Sequence, residues 1–272
     1  MKLCMFRPKE LALERGWPGR IEGDRVVQLA AQTLQAFFSG GGSAREHAEY
    51  RLDEVQLLAP VRTPPSVRDF YAFEEHVRTA RAGRGLEVPP EWYEIPVFYF
   101  SNPSSIYGPD DTIPYPEGTE ELDYELEVAA IVGADGQIGG FTVMNDWSAR
   151  DLQRAEMKVG LGPAKGKDFA TSLGPVVVTP DELGDLRLEM TARVNGEERS
   201  RGNLGDMYHS WGSIVGRAAL NTRLLPGDVI GSGTVGSGCI LEIGDGRWLQ
   251  PGDVVELEVE GIGVLRNTVG PR

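Results

Sequence analysis

The chain of 272 residues has little basic charge, few cysteines and no long apolar run. It carries 27 lysine and arginine residues against 41 aspartate and glutamate residues, which gives a net charge of −14 at pH 7. So acidic a protein is repelled by phosphate backbones and by anionic lipid surfaces. Neither nucleic-acid binding nor membrane binding is therefore expected as its main task, although local arginine and lysine side chains can still attract a small anionic substrate.

The two cysteines, Cys4 and Cys239, stand in apolar, strand-like surroundings and are too few for a disulfide framework. They are expected to be free, buried thiols in a reducing compartment. The apolar stretch at residues 3–6 is too short for a signal peptide, and no later run is long enough to cross a membrane. These absences predict a cytoplasmic protein.

Glycine and proline are abundant, with 35 and 18 residues, which favours short strands joined by tight turns. Residues 1–60 are interpreted as a small N-terminal domain and residues 61–272 as a larger one, because a stiff, proline-rich connector separates them. Most of the larger domain, including residues 240–243, is predicted to be extended. Helices are predicted over residues 27–38, from residue 66 or 69 to about 81, and over residues 148–158 and 212–221.

Two glutamates lie two residues apart at the start of an apolar strand, in Glu125-Leu126-Glu127. Alternate residues of a strand point to the same face, so Glu125 and Glu127 should project side by side. If the fold brings Asp146 beside them, the three carboxylates make a hard oxygen site for magnesium, manganese or calcium. A strand with one solvated face would give the same pattern. The acidic run at residues 117–123 is interpreted as a solvated loop.

Asp69 and His76 lie seven residues apart, close to two helical turns, so both are expected to address one side of a helix. A lone aspartate at such a place is most often an N-cap, and a lone histidine is usually a surface or satisfied core residue. The spacing by itself therefore does not assign either residue a function.

Taken together, these segments resemble the fumarylacetoacetate hydrolase family. They follow the family's order over roughly residues 60–260, and the string at residues 145–151 is highly specific. The matching segments are Asp69-Phe70-Tyr71 with His76, Pro96-Val97 with Tyr99, Glu125-Leu126-Glu127, Asn145-Asp146-Trp147-Ser148-Ala149-Arg150-Asp151 with Gln153, Gly166-Lys167-Asp168-Phe169, and Gly233-Thr234 followed by Glu242.

The resemblance implies a fold that is mostly β with some α: a mixed β-roll catalytic domain of this family's type, preceded by the small N-terminal domain. It implies a homodimer with a divalent cation, taken as magnesium, with manganese or calcium as alternatives. Motif matching places the metal ligands at Asp69, Glu125, Glu127 and Asp146, and the catalytic residues at His76, Glu242 and Lys167. The substrate-binding positions fall at Tyr71, Arg84, Tyr99, Gln153 and Thr234, with Arg84 matched across a one-residue gap.

The implied activity is hydrolysis of a carbon–carbon bond in a small anionic 2,4-dioxo acid of the acylpyruvate or β-diketone type, in the catabolism of aromatic compounds. In this chemistry His76 is the base that takes a proton from water, and Glu242 orients the His76 ring. Lys167 faces the developing oxyanion. Met157 stands where fumarylacetoacetases carry a tyrosine, and the N-terminal domain is smaller, which counts against fumarylacetoacetate itself. An isomerase or decarboxylase of unsaturated 2-oxo acids, or an inert module that binds a cation and a dicarboxylate, remain alternatives.

The stretch from Gly231 to Gly236 matches the G-x-G-x-x-G pattern of dinucleotide-binding proteins. That pattern requires a helix directly after it, whereas residues 237–241 are predicted to lead into another strand. The stretch is therefore interpreted as a glycine-rich turn that lets the backbone approach a ligand closely.

Overall fold

The computed structural model describes residues 1–272 and is built mainly from β-strands, as predicted. The strands are β1 (Lys2–Pro8), β2 (Trp17–Glu22), β3 (Arg25–Leu29), β4 (Glu46–Arg51), β5 (Val55–Leu58), β6 (Val67–Phe70), β7 (Phe98–Ser101), β8 (Ile106–Tyr107), β9 (Thr112–Ile113), β10 (Leu122–Asp123), β11 (Leu126–Val132), β12 (Ile138–Asp146), β13 (Ser148–Ala149), β14 (Thr171–Val178), β15 (Glu189–Val194), β16 (Glu197–Asn203), β17 (Val229–Gly231), β18 (Val254–Val259) and β19 (Gly263–Val269).

The helices are short and lie between the strands. They are α1 (Leu34–Ser39), α2 (Glu74–Ala82), α3 (Pro90–Glu94), α4 (Arg150–Met157), α5 (Pro180–Leu183), α6 (Trp211–Ala219) and α7 (Ile240–Ile243), with 3₁₀ turns at Leu52–Glu54, Ala134–Gly136 and Leu204–Asp206. None of them combines the length and the apolar character that crossing a lipid bilayer would require.

One large mixed sheet positions the candidate site. Its strand order is β4-β3-β2-β1-β14-β12-β11-β17-β6-β7, with β5 and β8 attached to β1 and β14. The strand β11 is buried along its whole length, and its two faces pack into two separate apolar clusters. The strands β12, β11, β17 and β6 are neighbours, so side chains near their ends at one edge of the sheet come close together.

The N-terminal strands continue this same sheet, because β1 pairs with β14 through Lys2 opposite Val178 and Leu3 opposite Val177. A second sheet, in the order β16-β15-β18-β19-β9, packs its apolar residues into the larger of the two clusters. The division into two domains at residue 60 stays a prediction.

The helix predicted over residues 27–38 is wrong at its start, because residues 27–29 belong to β3 and residues 30–33 form a bend. Val26, Val27 and Leu29 are buried, and β3 pairs with strands on both sides. The helix α1 begins only after Thr33, whose hydroxyl accepts a hydrogen bond from the Ala36 amide at 3.1 Å. Sheet pairing and this N-cap together set the boundary.

The helix predicted from residue 66 or 69 is also wrong at its start. Residues 67–70 form β6, which is buried throughout and pairs in parallel with β17 and antiparallel with β7. The helix α2 begins at Glu74. Asp69 and His76 therefore do not share a helix, and their approach to one site depends on the turn between β6 and α2.

Residues 240–243, predicted to be extended, form the single-turn helix α7. The buried Asp123 carboxylate accepts hydrogen bonds from the amides of Ile240 at 2.8 Å and Leu241 at 3.1 Å. A carboxylate at this end of a helix pairs with free amides and with the helix dipole. This contact between residues far apart in sequence stabilises the helical turn. The sequence of residues 240–243 alone gives no sign of it.

Candidate active site

Four carboxylates meet at one edge of the large sheet: Asp69 on β6, Glu125 and Glu127 at the start of β11, and Asp146 at the end of β12. All four are buried, and one oxygen from each lies within 4.8 Å of the others. The antiparallel register of β11 and β12, with Glu127 opposite Met144, brings Asp146 to the same edge as the glutamates. The structure thus brings together the four predicted metal ligands.

Three oxygens of this cluster have no hydrogen-bond partner: Oδ1 of Asp69, Oε2 of Glu127 and Oδ1 of Asp146. Unpaired buried carboxylate oxygens are costly, and they are the ligand type that magnesium, manganese and calcium prefer. The donor set therefore fits a hard divalent cation. Zinc sites, by contrast, usually include histidine or cysteine.

The pKa shifts of the four carboxylates also favour a bound cation. Burial and the neighbouring acids raise the pKa of Asp69 and of Glu127 well above their ordinary values, and burial raises the pKa of Asp146. At Glu125, burial acts upward, but the charges of Lys167 and Arg150 outweigh it and hold the pKa below its ordinary value. Ionising the whole cluster therefore requires more positive charge nearby.

Two buried cations supply part of that charge. The Lys167 ammonium contacts both Glu125 and Asp146. Arg150 donates from Nε to Asp123 at 2.8 Å and from Nη2 to Glu125 at 2.8 Å. Counting Asp123, five buried carboxylates face only these two cations, so an excess of negative charge remains for a divalent ion to balance.

Two glycines of the segment at residues 231–236 make room for the cluster. A Cβ atom on Gly231 would lie 2.3 Å from Oδ1 of Asp69, and one on Gly233 would lie 2.5 Å from the Phe70 carbonyl oxygen. Gly233 also has a φ of +81°, which favours glycine. No helix follows directly, since α7 begins at Ile240. The glycine-rich stretch therefore allows close backbone packing beside the carboxylates, and its predicted approach to a ligand stays a prediction.

A buried histidine–glutamate pair forms the second part of the site. Nδ1 of His76, on α2, lies 2.8 Å from Oε2 of Glu242, on α7, and the two side chains are only 6% and 2% exposed. Glu242 is held in turn by the Gly238 amide, which donates to the same oxygen at 3.2 Å. The Tyr71 ring packs edge-on against the imidazole, with centroids 5.3 Å apart. The predicted catalytic pair is thus assembled from segments far apart in sequence.

Four of the five predicted substrate-binding residues contact other residues of the site, and the fifth, Arg84, does not. The Tyr99 hydroxyl donates to Asp146 at 2.5 Å, the Thr234 hydroxyl donates to Glu127 at 3.2 Å, and the Gln153 amide oxygen accepts from Arg150 at 3.1 Å. Tyr71 lies beside the catalytic pair, and burial raises its pKa to about 12. Arg84 is exposed and donates to the carbonyl of Ala80 at 3.1 Å, without a direct contact to the other site residues.

The sequence analysis missed the roles of Arg150, Asp123 and Cys239. Asp123, assigned to a solvated acidic loop, is in fact fully buried and joins Arg150 to the start of α7. A signal for it was present, because Asp123, Glu125 and Glu127 continue one period of two residues. The Cys239 thiol lies 3.4 Å from Oε2 of Glu242, and no local pattern indicated that contact.

Comparison with known proteins agrees with this geometry. The family described as "Fumarylacetoacetate (FAA) hydrolase C-terminal" matches residues 66–270. The human mitochondrial oxaloacetate tautomerase FAHD2A is 33% identical over 99% of this chain and 91% of its own length.

Two solved structures cover the whole chain and are themselves wholly covered. The fumarylacetoacetate hydrolase of the psychrophile Exiguobacterium antarcticum has a TM-score of 0.81 at 30% identity. The 5-carboxymethyl-2-hydroxymuconate delta-isomerase of Mycobacterium smegmatis has a TM-score of 0.78 at 29% identity. These relatives are enzymes of three reaction types: tautomerase, hydrolase and isomerase. The matched family, the fold and the buried carboxylate cluster lead to one conclusion: the chain belongs to the fumarylacetoacetate hydrolase family of enzymes.

Proposed function

We propose that the protein is a divalent-cation-dependent hydrolase that cleaves a carbon–carbon bond in a small 2,4-dioxo acid of the acylpyruvate type. The observation that carries the proposal is the buried pair of His76 and Glu242, whose Nδ1 and Oε2 atoms lie 2.8 Å apart. Hydrolysis requires a group that activates water, whereas binding a cation and an acid does not. A base already placed against a carboxylate supports hydrolytic chemistry.

Asp69, Glu125, Glu127 and Asp146 would hold the cation, for which magnesium is the first choice and manganese or calcium are alternatives. When bound, the cation would supply Lewis acidity toward the dioxo acid and offset the negative charge of the departing enolate. The unpaired oxygens of Asp69, Glu127 and Asp146 support this assignment.

The protein's own groups then account for the proton transfers. His76 accepts a proton from water as the water oxygen bonds to the distal carbonyl carbon, and Glu242 stabilises the resulting imidazolium. The ammonium of Lys167 offers positive charge where the attacked oxygen becomes an anion, a contact type worth roughly 3 kcal/mol in catalysis. As the carbon–carbon bond breaks, the His76 imidazolium returns its proton to the enolate carbon, which gives pyruvate and a carboxylic acid.

The remaining polar residues fit the binding of a small dicarbonyl anion. Tyr99 and Thr234 already hydrogen bond to the proposed metal ligands, so a substrate at the cation would lie beside both hydroxyls. Tyr71, next to His76, is placed to orient the carbonyl that water attacks. Gln153 and the exposed Arg84 are proposed to contact the substrate carboxylate and its flanking groups.

A second candidate is a tautomerase or isomerase of 2-oxo acids, favoured by the 33% identity to a named oxaloacetate tautomerase. That reaction also passes through an enol or enolate, but it moves only a proton between carbon and oxygen and consumes no water. His76 serves equally well as the base for that transfer. The two candidates therefore differ in whether water enters the product.

The test is to incubate the magnesium-loaded protein with acetylpyruvate, with the enol form of oxaloacetate and with an unsaturated 2-oxo acid, and to identify the products by NMR. The proposal predicts acetate and pyruvate from acetylpyruvate in equal amounts. Conversion of oxaloacetate enol to the keto form without acylpyruvate cleavage would favour the second candidate. Binding of magnesium and a dicarboxylate with no turnover would leave an inert binding module.

A further inference from the structure

A second cluster of metal-ligating atoms lies apart from the four carboxylates and includes a thiol. It consists of Nδ1 of His76, Sγ of Cys239 and the carboxylate of Glu242, with atoms from all three within 4.8 Å of one another. The closest pairs are Nδ1 to Oε2 at 2.8 Å and Sγ to Oε2 at 3.4 Å. The proposed hydrolysis uses His76 and Glu242 but gives Cys239 no role.

One atom of this cluster is buried without a hydrogen-bond partner: Oε1 of Glu242, whose side chain is 2% exposed. The other carboxylate oxygen, Oε2, is already in contact with both Nδ1 of His76 and the Cys239 thiol. Buried polar atoms normally have partners, so an unpaired oxygen beside an imidazole and a thiol points to a ligand that all three groups can share. A metal ion with nitrogen, sulfur and oxygen ligands satisfies this condition.

We propose that His76, Cys239 and Glu242 form a second metal site that takes Zn²⁺, and that zinc bound there switches the enzyme off. Thiolate and imidazole ligands select zinc, whereas the all-oxygen cluster of Asp69, Glu125, Glu127 and Asp146 suits magnesium. The two sites therefore differ in ligand chemistry as well as in position. The inhibitory part rests on the proposed function, because it follows from zinc occupying the water-activating pair.

The atoms are close to the spacing that zinc requires. With bonds of about 2.0–2.3 Å in a tetrahedron, ligand atoms lie roughly 3.3 Å apart for nitrogen and oxygen and roughly 3.6 Å apart for sulfur and oxygen. The present distances of 2.8 Å and 3.4 Å need only a small expansion. Three protein ligands leave a fourth position for water.

The surroundings hold two of the ligands in place. The Gly238 amide donates to Oε2 of Glu242 at 3.2 Å, which orients the carboxylate. The half-buried Tyr71 packs edge-on against the His76 ring and limits its rotation. Such supporting contacts are typical of sites that hold a metal in a fixed geometry.

Cobalt(II) is the most direct probe, because it replaces zinc and gives thiolate-to-metal charge-transfer absorption in the near ultraviolet only when sulfur is a ligand. We expect this band in the wild-type protein with magnesium present in excess. It should persist in Cys4→Ser, which alters the other cysteine on β1, and in Glu127→Ala, which alters the carboxylate cluster. It should disappear in Cys239→Ser and in His76→Ala, and titration with Zn²⁺ should abolish it in the wild type.

Absence of the band in cobalt-saturated wild-type protein, or its persistence in Cys239→Ser, would overturn the proposal. X-ray absorption at the zinc edge tests the unmodified protein and does not depend on any variant folding. It should show one sulfur at about 2.3 Å from zinc, and a shell of oxygen and nitrogen alone would contradict the site.

Inhibition is measured separately. Zinc should inhibit the wild type and Cys4→Ser in excess magnesium, and Cys239→Ser should need at least about tenfold more zinc. Equal zinc sensitivity of all three proteins would refute the inhibitory role. The optical experiment uses no substrate, so a tautomerase lacking hydrolysis would still show the cobalt band, whereas a hydrolase without the band would refute only the second site.

Discussion

At the scale of single residues, the site is defined by carboxylates that the fold removes from water. Asp69 and Glu127 have raised pKa values because they are buried beside other acids, while Lys167 and Arg150 hold the pKa of Glu125 down. A divalent cation at this cluster would balance the charge and pair the orphaned oxygens. The residues proposed to hold the cation are therefore those whose protonation would depend most on its presence.

The first prediction concerns Glu127, which is fully buried and has an unpaired oxygen. Glu127→Ala removes a ligand, and magnesium binding should fall below detection in a calorimetric titration. The control is Glu117→Ala, an exposed acid outside the cluster, which should bind magnesium as the wild type does. Wild-type affinity in Glu127→Ala would refute the assigned metal centre.

The second prediction follows from the raised pKa values of Asp69 and Glu127. With a chelator present, the folded chain keeps protons on these groups that the unfolded chain has lost. The contribution of these two groups to the free energy of unfolding should therefore be full below the ordinary carboxyl pKa and be lost as pH rises through the raised values. Glu127→Gln removes one of these titrations, so its stability should fall less over the same range.

Urea unfolding of both proteins from about pH 4 to pH 8 measures the difference. Magnesium in excess should remove most of the fall in the wild type, because the cation stabilises the ionised carboxylates in the folded state. Parallel curves for the wild type and Glu127→Gln in chelator would contradict the raised pKa of Glu127.

At the scale of elements, the segment that carries His76 is fastened by α3. The Trp92 indole donates to the Tyr71 carbonyl at 2.8 Å, and the Trp92 carbonyl lies 2.7 Å from Nε2 of the buried His209. The Tyr208 amide donates to the Ala72 carbonyl at 2.9 Å. Together these contacts pin the chain on both sides of α2, so the position of His76 depends on α3 as well as on its own helix.

The third prediction is that Trp92→Phe loosens this segment. The change keeps an aromatic ring but removes the hydrogen bond from the Trp92 indole to the Tyr71 carbonyl, and this loss should lower the free energy of unfolding by about 1 kcal/mol. Amide exchange over residues 71–95 should quicken, and the turnover rate should fall while magnesium affinity stays constant. Hydrogen-exchange mass spectrometry and calorimetry measure the two effects, and unchanged exchange in this segment would contradict the fastening role.

Strands and helices were predictable from the sequence where the pattern of residues within the segment itself determines them. The apolar run of β11 and the chain order of the family motifs gave the main strands and the carboxylate cluster. The predicted start of α2 was wrong, because residues 67–70 form a strand that pairs with β17, more than 150 positions later. The turn α7 and the burial of Asp123 were likewise missed, since each depends on the other across the chain.

At the scale of the whole molecule, the chain is expected to assemble as a homodimer. The loop after α4 exposes Val159 and Leu161 at 83% and 95%, and Phe100 on β7 is 64% exposed. Neighbouring exposed apolar side chains, such as Val159 and Leu161 two residues apart in this loop, can form a patch that a partner covers. The fourth prediction is that sedimentation velocity at micromolar concentration gives a species of twice 29.7 kDa. A single species at the monomer mass would contradict it.

For the whole molecule, the sequence predicts the family but not the reaction type. Family motifs predicted the fold and the residues of the carboxylate cluster that meet, but not the exposed position of Arg84. They do not separate hydrolase from tautomerase, since both proposed reactions would pass through an enolate at the same carboxylate cluster. That difference depends on whether His76 activates water, which is a property of the assembled pair with Glu242 and has to be measured.

The most direct test of the central claim is the rate of acylpyruvate hydrolysis by His76→Ala, with magnesium affinity measured on the same sample. The account predicts a loss of roughly 10²-fold or more in turnover with magnesium binding retained, because His76 is the base and not a ligand of that cation. His47→Ala, which alters an exposed histidine on β4, should keep the wild-type rate. An undiminished rate of hydrolysis in His76→Ala would contradict water activation by the buried pair.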